Sequence, residues 1–491
     1  MRKKFYITTP IYYVNAPPHI GHAFTTIVAD VLARYHRALG EKVFFLTGTD
    51  EHGFKIAKVA KSLGKTPLQF CNQIAKEFKK TWQKLDISYD NFIRTTSPKH
   101  TKAVQRAFSF LKEKNFIYKG FYEGLYCSGC EQFKTKKDLV DGKCPDHARE
   151  PELVREENYI FSLSKFTKIL TKKIESKKLE ILPQKRKNEI LKFLKEGLND
   201  VSFSRPKEKV EWGITVPFDK NQTIYVWVDA FLNYLTGIGW DGDPKNVPEF
   251  WPPDLQLMGK DILRVHATIW PAILLALGLP LPKLLFAHGY FTVNGQKMSK
   301  SLGNIIHPLE LVDKFGSDAT RYLLLSICSL EEGGDVSWEK FLKKYNGDLA
   351  YGLGNLIMRV AVLGEKIQRE NPFRKIKLRD KKIILAIKEA KEKYKNFIEK
   401  FKLDQALISV WQLIGFCDKF IENKKPWQKS KEQPLIIGDL LIAIGEIAQM
   451  LQPFLPQTSK RIFKEFWVKN NKNVWDFKIT LKRPLFPAIK A

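Results

Sequence analysis

Phe5-Tyr6-Ile7-Thr8-Thr9-Pro10-Ile11-Tyr12-Tyr13-Val14-Asn15, running on through Ala16-Pro17-Pro18 into His19-Ile20-Gly21-His22, is the stretch on which the fold turns. Residues 5–9 alternate like a buried strand and 10–18 form a proline-rich loop. Apolar residues then recur at helical spacing over 20–39, and Gly40 closes that helix. A second apolar strand at 43–46 ends in Thr47-Gly48-Thr49-Asp50-Glu51-His52-Gly53. Strand, helix, strand in this order predicts a parallel unit of a doubly wound, Rossmann-like α/β sheet, whose ligands bind beyond the C-terminal ends of the strands. The His19 loop and Asp50 both fall there. A His-x-Gly-His turn that opens a helix suits a phosphate, because backbone N–H groups and the positive helix end face the anion while the imidazoles add donors.

Working outward, a helical stretch follows to about residue 115, and the character changes over 116–221 to a Cys/His segment, a lysine-rich run at 165–196 and Ser202-Phe203-Ser204-Arg205-Pro206. This reads as an inserted domain. The sheet is expected to resume at 224–228, at 255–258 leading into Gly259-Lys260-Asp261, and at 284–287. Lys297-Met298-Ser299-Lys300-Ser301 is a loop with two mobile ammoniums. Beyond Lys340 the pattern is almost wholly helical, with apolar spacing over 383–422 and 435–451, which predicts a separate all-α bundle. The expected division is 1–115 and 222–295 as two halves of one sheet domain, 116–221 as the insertion, 296–340 as the Lys297 loop region and 341–491 as the bundle.

At 491 residues the chain is too long for one core, and 44% hydrophobic with 12% aromatic content excludes a disordered protein. Lys and Arg number 82 against 53 Asp and Glu, a formal charge of +29, which favours a polyanionic partner. A lysine-rich genome or a solvated surface gives the same composition. The N-terminus lacks an apolar signal segment, and no uninterrupted apolar run approaches membrane-spanning length, so a cytoplasmic protein without a membrane partner is expected. Six cysteines do not make a disulfide scaffold in a chain of this length. Cys127-Ser128-Gly129-Cys130 and Cys144-Pro145-Asp146-His147 form two chelating pairs, and three thiolates with one imidazole satisfy tetrahedral Zn²⁺ as a closed, structural site. Cys71, Cys328 and Cys417 are expected to pack.

The His19 and Lys297 words, in this order and in a basic chain, resemble the paired signatures of class I aminoacyl-tRNA synthetases. Residues 5–15 leading into His19, the 48–53 turn, the single zinc knuckle, Tyr225-Val226-Trp227-Val228-Asp229-Ala230 and His288-Gly289-Tyr290 resemble the methionyl-tRNA synthetase family along the whole chain. The resemblance implies activation of L-methionine with ATP and Mg²⁺, followed by transfer to tRNA(Met) for initiation and elongation. It places His19, Gly21, His22, Gly259 and Asp261 around ATP, with His19, His22, Lys297 and Lys300 serving catalysis on its phosphates. It pairs Asp50 with the α-ammonium and encloses the thioether with Ile11, Tyr13, Trp212, Trp227, Tyr234 and His266. Asn355, Arg359 and Trp427 match the family's anticodon readers. Longer members continue past Pro484-Leu485-Phe486-Pro487 into an oligonucleotide-binding fold associated with dimerisation, so a monomer is expected here, with room for a separate tRNA-binding subunit in trans.

The nearest alternative is a class I synthetase for another apolar or sulfur-containing amino acid. Branched-aliphatic members carry a much larger editing insertion than 116–221 allows, and cysteinyl enzymes place zinc in the substrate pocket. A small-molecule nucleotidyltransferase would not need the bundle or the Lys297 loop, and a non-catalytic tRNA-binding module would not need Asp50.

Overall fold

A computed structural model describes residues 2–490 except 130, 131, 135–137, 146, 147, 299–302, 371, 467, 472 and 473. The chain divides into two compact units, one of Met1–Pro18, His36–Lys80 and Ser88–His288, the other of His19–Tyr35, Thr81–Ile87 and Gly289–Ala491.

The first unit is built on a parallel sheet of seven strands: β1 (Lys4–Thr8), β2 (Tyr12–Tyr13), β3 (Lys42–Asp50), β4 (Asn91–Arg94), β5 (Glu180–Leu182), β6 (Leu255–Gly259) and β7 (Leu284–His288). Their order is β2-β3-β1-β6-β7-β5, with β4 also pairing β3. Ile7 is paired with Phe45 on one side and Leu255 on the other, so β1 is a central strand, and Phe5 to Thr8 are all buried. A continuous buried run rather than alternation is what a parallel strand covered on both faces requires. The expected parallel, Rossmann-like architecture is therefore present.

Three local readings differ from the structure. The helical stretch before residue 115 contains β4, whose Asn91–Arg94 pairs in register with Leu46–Thr49. Residues 224–228 do not form a sheet strand: Asp219–Ile224 pairs antiparallel in a small three-stranded sheet, and Val226–Thr236 is a helix. A short apolar run has the same periodicity in a buried strand and a buried helix, and here the core covers the helix on nearly every side. Within 116–221, Ile117–Cys127 and Glu152–Phe161 form a long antiparallel pair in a sheet of their own, whereas β5 joins the main sheet beside β7.

In the second unit, Lys381–Glu399, Leu403–Lys424, Gln433–Leu451 and Pro456–Glu465 pack as a helical bundle, as expected, followed by a short hairpin of Lys469–Asn471 and Val474–Asp476. Gln433–Leu451 is long and apolar enough to cross a membrane by composition, but 83% of its apolar window is buried inside the protein. It is the core helix of the bundle.

Candidate active site

Beyond the C-terminal ends of β1 and β3, Tyr13 stands opposite Asp50 in the β2–β3 pairing, and Val14 N donates to the Asp50 carbonyl at 3.2 Å. The turn after Asp50 is tightly held. Glu51 is fully buried, and its carboxylate accepts from Arg94 Nε at 2.6 Å, from Arg94 Nη2 at 2.9 Å and from Thr49 Oγ1 at 2.7 Å. Trp212 Nε1 donates to the Glu51 carbonyl at 2.5 Å, and Gly53 N donates back to the Trp212 carbonyl at 2.9 Å.

An aromatic cluster forms from the helix Val226–Thr236 and the segment 263–276. Trp227 meets Phe231 at 5.7 Å between ring centroids, Phe231 meets His266 edge-on at 5.0 Å, and Tyr234 lies 5.6 Å from Trp270. Ile11 and Trp227 pack, partly buried, against the same core. His266 Nδ1 lies 2.8 Å from the Ile262 carbonyl, which accepts only a proton-bearing nitrogen, so Nε2 is the acceptor and Tyr234 Oη donates to it at 2.9 Å. Burial holds the imidazole neutral, with its pKa lowered to about 4, and burial likewise keeps Tyr234 protonated. Gly259 ends β6 opposite His288, and Asp261 is exposed two residues further on.

In the second unit, His19 opens the helix Ile20–Ala38, and the His19 and His22 rings stack at 3.7 Å. Gly21 N donates to His19 Nδ1 at 3.1 Å and His19 N to His22 Nδ1 at 3.3 Å. A Cβ at Gly21 would stand 2.9 Å from the His19 ring and 3.9 Å from the Met298 methyl, so only glycine lets that ring fold over the helix start. Burial, then the neighbouring His307, lowers the His19 pKa to about 4; burial, then His19, lowers that of His22. Both imidazoles are neutral donors and acceptors rather than fixed cations. Lys297 lies exposed on a hairpin, paired with Thr292 across an Asn294-Gly295 turn whose φ values are 51° and 75°. Lys300 lies outside the described residues.

In the bundle region, Asn355 begins the helix Asn355–Gln368 and is exposed, one turn before Arg359. Arg359 and Trp427 line one cavity of about 350 Å³ together with Met358, Val362 and Leu363. Arg359 pairs with Asp418 at 3.5 Å and Glu422 at 2.5 Å, and Trp427 is 47% exposed. The cavity lining does not include Asn355.

Cys127 ends its strand and Cys144 follows an Asp141-Gly142 turn; both are buried. Cys130 and His147 lie outside the described residues, and among the described residues no group of three or more His, Cys, Asp or Glu is arranged to hold a metal.

Sequence reasoning missed the Glu51–Arg94 pair, Phe231 and Trp270. The last two carried a signal, since each lies four residues beyond a pocket candidate on a helical segment, Trp227 and His266 respectively.

The chain matches the family model of tRNA synthetases class I (M) over residues 5–153 and 138–361, and that of the anticodon-binding domain of tRNA ligase over 380–487. It is 42% identical over 489 residues to the methionine--tRNA ligase of Caldanaerobacter subterraneus subsp. tengcongensis, covering 97% of this chain and 76% of the relative. To that of Clostridium tetani it is 44% identical over 486 residues, covering 97% and 75%. Among solved structures, Mycobacterium tuberculosis methionyl-tRNA synthetase in complex with methionyl-adenylate superposes with a TM-score of 0.91 at 31% identity, over 99% of this chain and 100% of that one.

Proposed function

This chain belongs to the methionine--tRNA ligase family of class I tRNA synthetases, and on that premise we propose that it activates methionine with ATP and loads it onto tRNA(Met). The observation that carries the reading is the aromatic cluster of Trp227, Phe231, Tyr234, His266 and Trp270, in a chain that matches these ligases over 97% of its length. A thioether is polarizable and flexible, and such walls give it sulfur–aromatic contacts beyond apolar burial. Because the Tyr234 proton is committed to His266, the wall is neutral and offers no mobile charge to a polar competitor.

In the first step the methionine carboxylate attacks the α-phosphorus of ATP, the bond to the bridging oxygen breaks, and pyrophosphate leaves with its electron pair. The terminal hydroxyl of tRNA then attacks the methionyl-adenylate carbonyl, and AMP leaves. No covalent enzyme intermediate is needed, so the chain contributes position and charge. Asp50 takes the α-ammonium, beside Ile11 and Tyr13; Trp212 fixes the turn that follows Asp50. Gly259 and Asp261 serve the nucleoside. Neutral His19 and His22, at the turn that Gly21 keeps open, serve the phosphates as hydrogen-bond partners, while Lys297 and Lys300 supply positive charge. Mg²⁺ bound to ATP would offset phosphate charge.

Cys127, Cys130, Cys144 and His147 would hold one structural zinc. The burial of Cys127 and Cys144 supports this, since a closed thiolate site is shielded from solvent. Asn355, Arg359 and Trp427 read the anticodon: an unstacked base can lie on the exposed indole and accept from the guanidinium. The cytoplasm, where tRNA is charged, is the proposed place of action.

ATP–pyrophosphate exchange measured with each of the twenty amino acids tests the reading. Methionine alone is expected to support exchange near the full rate. A higher rate with isoleucine, valine, leucine or cysteine would overturn it.

A further inference from the structure

We infer that His52, Asp229 and His100 form a positioning network that sets the methionine pocket, with Asp229 as its centre; the inference rests on the methionine-activating function proposed above. Asp229 is 1% exposed. Its Oδ2 lies 2.7 Å from His52 Nδ1 and its Oδ1 lies 2.7 Å from His100 Nε2. Each carboxylate oxygen therefore accepts from its own imidazole. His100 Nδ1 lies 2.7 Å from Thr236 Oγ1, so the chain of contacts returns to the last residue of the helix that carries Asp229.

The three side chains come from three elements that meet in the same unit. His52 is two residues beyond Asp50, in the turn that Trp212 clasps, and its ring lies 5.3 Å from the Trp212 ring. His100 is fully buried on the helix Pro98–Glu113. Asp229 sits in the first turn of Val226–Thr236, two residues after Trp227 and five before Tyr234. Two hydrogen bonds from fixed directions thus lock both the rotation of the helix that supplies Trp227 and Tyr234 and its height against the turn that supplies Asp50. Hydrophobic packing is non-directional and would leave that rotation softer.

Stability alone does not account for this design. A fully buried carboxylate carries a desolvation penalty that a well-packed apolar side chain would avoid, so a buried ionic group is weak evidence of stabilisation. What the carboxylate adds is direction. Burial would raise its pKa, but the two imidazoles outweigh burial and bring it to about 2, so at neutral pH it is ionised and acceptor-only. A single misplaced wall is enough to weaken binding of a small substrate, since positioning groups must hold to within a fraction of an ångström.

The test compares Asp229→Asn, His100→Leu and His100→Gln with the parent chain. KM for methionine, KM for ATP, exchange kcat and the melting midpoint are measured for each. Asp229→Asn and His100→Leu are expected to raise the methionine KM about tenfold or more while the ATP KM stays within twofold. His100→Gln, whose amide can still donate to the carboxylate, is expected to stay within about threefold of the parent. If Asp229→Asn does not fold, the contrast between the two His100 variants decides. An unchanged methionine KM in Asp229→Asn and His100→Leu, equal rises in both KM values, or no rescue by glutamine would overturn the network's role. A parent chain without methionine-dependent exchange would instead overturn the underlying function, so the two failures are distinguishable.

Discussion

The proposed methionine pocket and the proposed base-reading face of the bundle region would solve opposite recognition problems. Around Asp50 and His266 the polar groups are buried or half-buried and committed: Glu51 to Arg94, Trp212 to the turn, Tyr234 to His266. Around Arg359 and Trp427 they are more open to solvent. Arg359 is held by Glu422, whose side chain is 62% exposed, and Trp427 is 47% exposed beside the cavity. A small apolar substrate can be surrounded on all sides by groups fixed in advance, which lowers the ordering that binding must supply. A base on a polynucleotide arrives from solvent, so its readers must remain accessible. Glu422 is the exposed partner, and ion pairs to exposed groups are worth roughly 0–1 kcal/mol, so Arg359 can exchange Glu422 for a base at little loss while Asp418 still holds it.

Breaking the committed side has the largest effect. Asp50→Ala would remove the proposed partner of the substrate α-ammonium, and truncating one member of a desolvated charge pair costs about 2–5 kcal/mol. Exchange should fall close to background while the melting midpoint moves little, since the lost partner belongs to the substrate. A variant that exchanges at the parent rate would remove Asp50 from the site.

Acid should sharpen the contrast. His266 has its pKa lowered to about 4 by burial, against 6.5 for a free imidazole. As pH falls from about 6.5 toward about 4, the unfolded chain binds a proton that the folded pocket refuses, so stability is lost across that window. In the bundle, burial raises Asp418, which has the opposite sign: protonation relieves a buried charge as pH falls. Hydrogen exchange at pH 7 and 5.5, corrected for the intrinsic rate, should lose protection in Val226–Thr236 while Leu403–Lys424 keeps it. Equal losses would contradict the assignment.

Tyr234→Phe should have the smallest effect of the three. It leaves His266 Nε2 without its donor, a penalty of about 1–3 kcal/mol. The methionine KM should rise while the ATP KM holds, and parallel rises would mean that the hydroxyl supports the fold rather than the pocket.

Much of the sheet was legible because its signal is local. The strands expected at 5–9, 43–46, 255–258 and 284–287 stand at Lys4–Thr8, Lys42–Asp50, Leu255–Gly259 and Leu284–His288, and the first helix ends one residue earlier than expected. Asn91–Arg94 was illegible because a four-residue strand between helices has no periodicity to separate it from them. Residues 224–228 misled because Tyr225, Val226, Trp227 and Val228 have strand-like composition, and tertiary burial overrides it. At the site, Tyr234 and His266 are joined directly, and Trp212 is tied to the turn after Asp50. The Glu51–Arg94 pair and the His52–Asp229–His100 network could not be read, because their partners lie 43 to 177 residues apart in the chain and no spacing rule links them.

On the proposed function the two regions do separate jobs: the pocket makes the adenylate and the more open face selects the tRNA. Trp427→Ala, assayed side by side for ATP–pyrophosphate exchange and for charging of a methionine tRNA transcript, tests it most directly. Loss of a base-stacking surface should weaken charging by about 1–3 kcal/mol and leave exchange within twofold. Changing the first anticodon base should give a similar defect, and the two changes together should be less than additive because they remove one contact. Equal damage to exchange and charging, or full additivity with the anticodon change, would contradict the account.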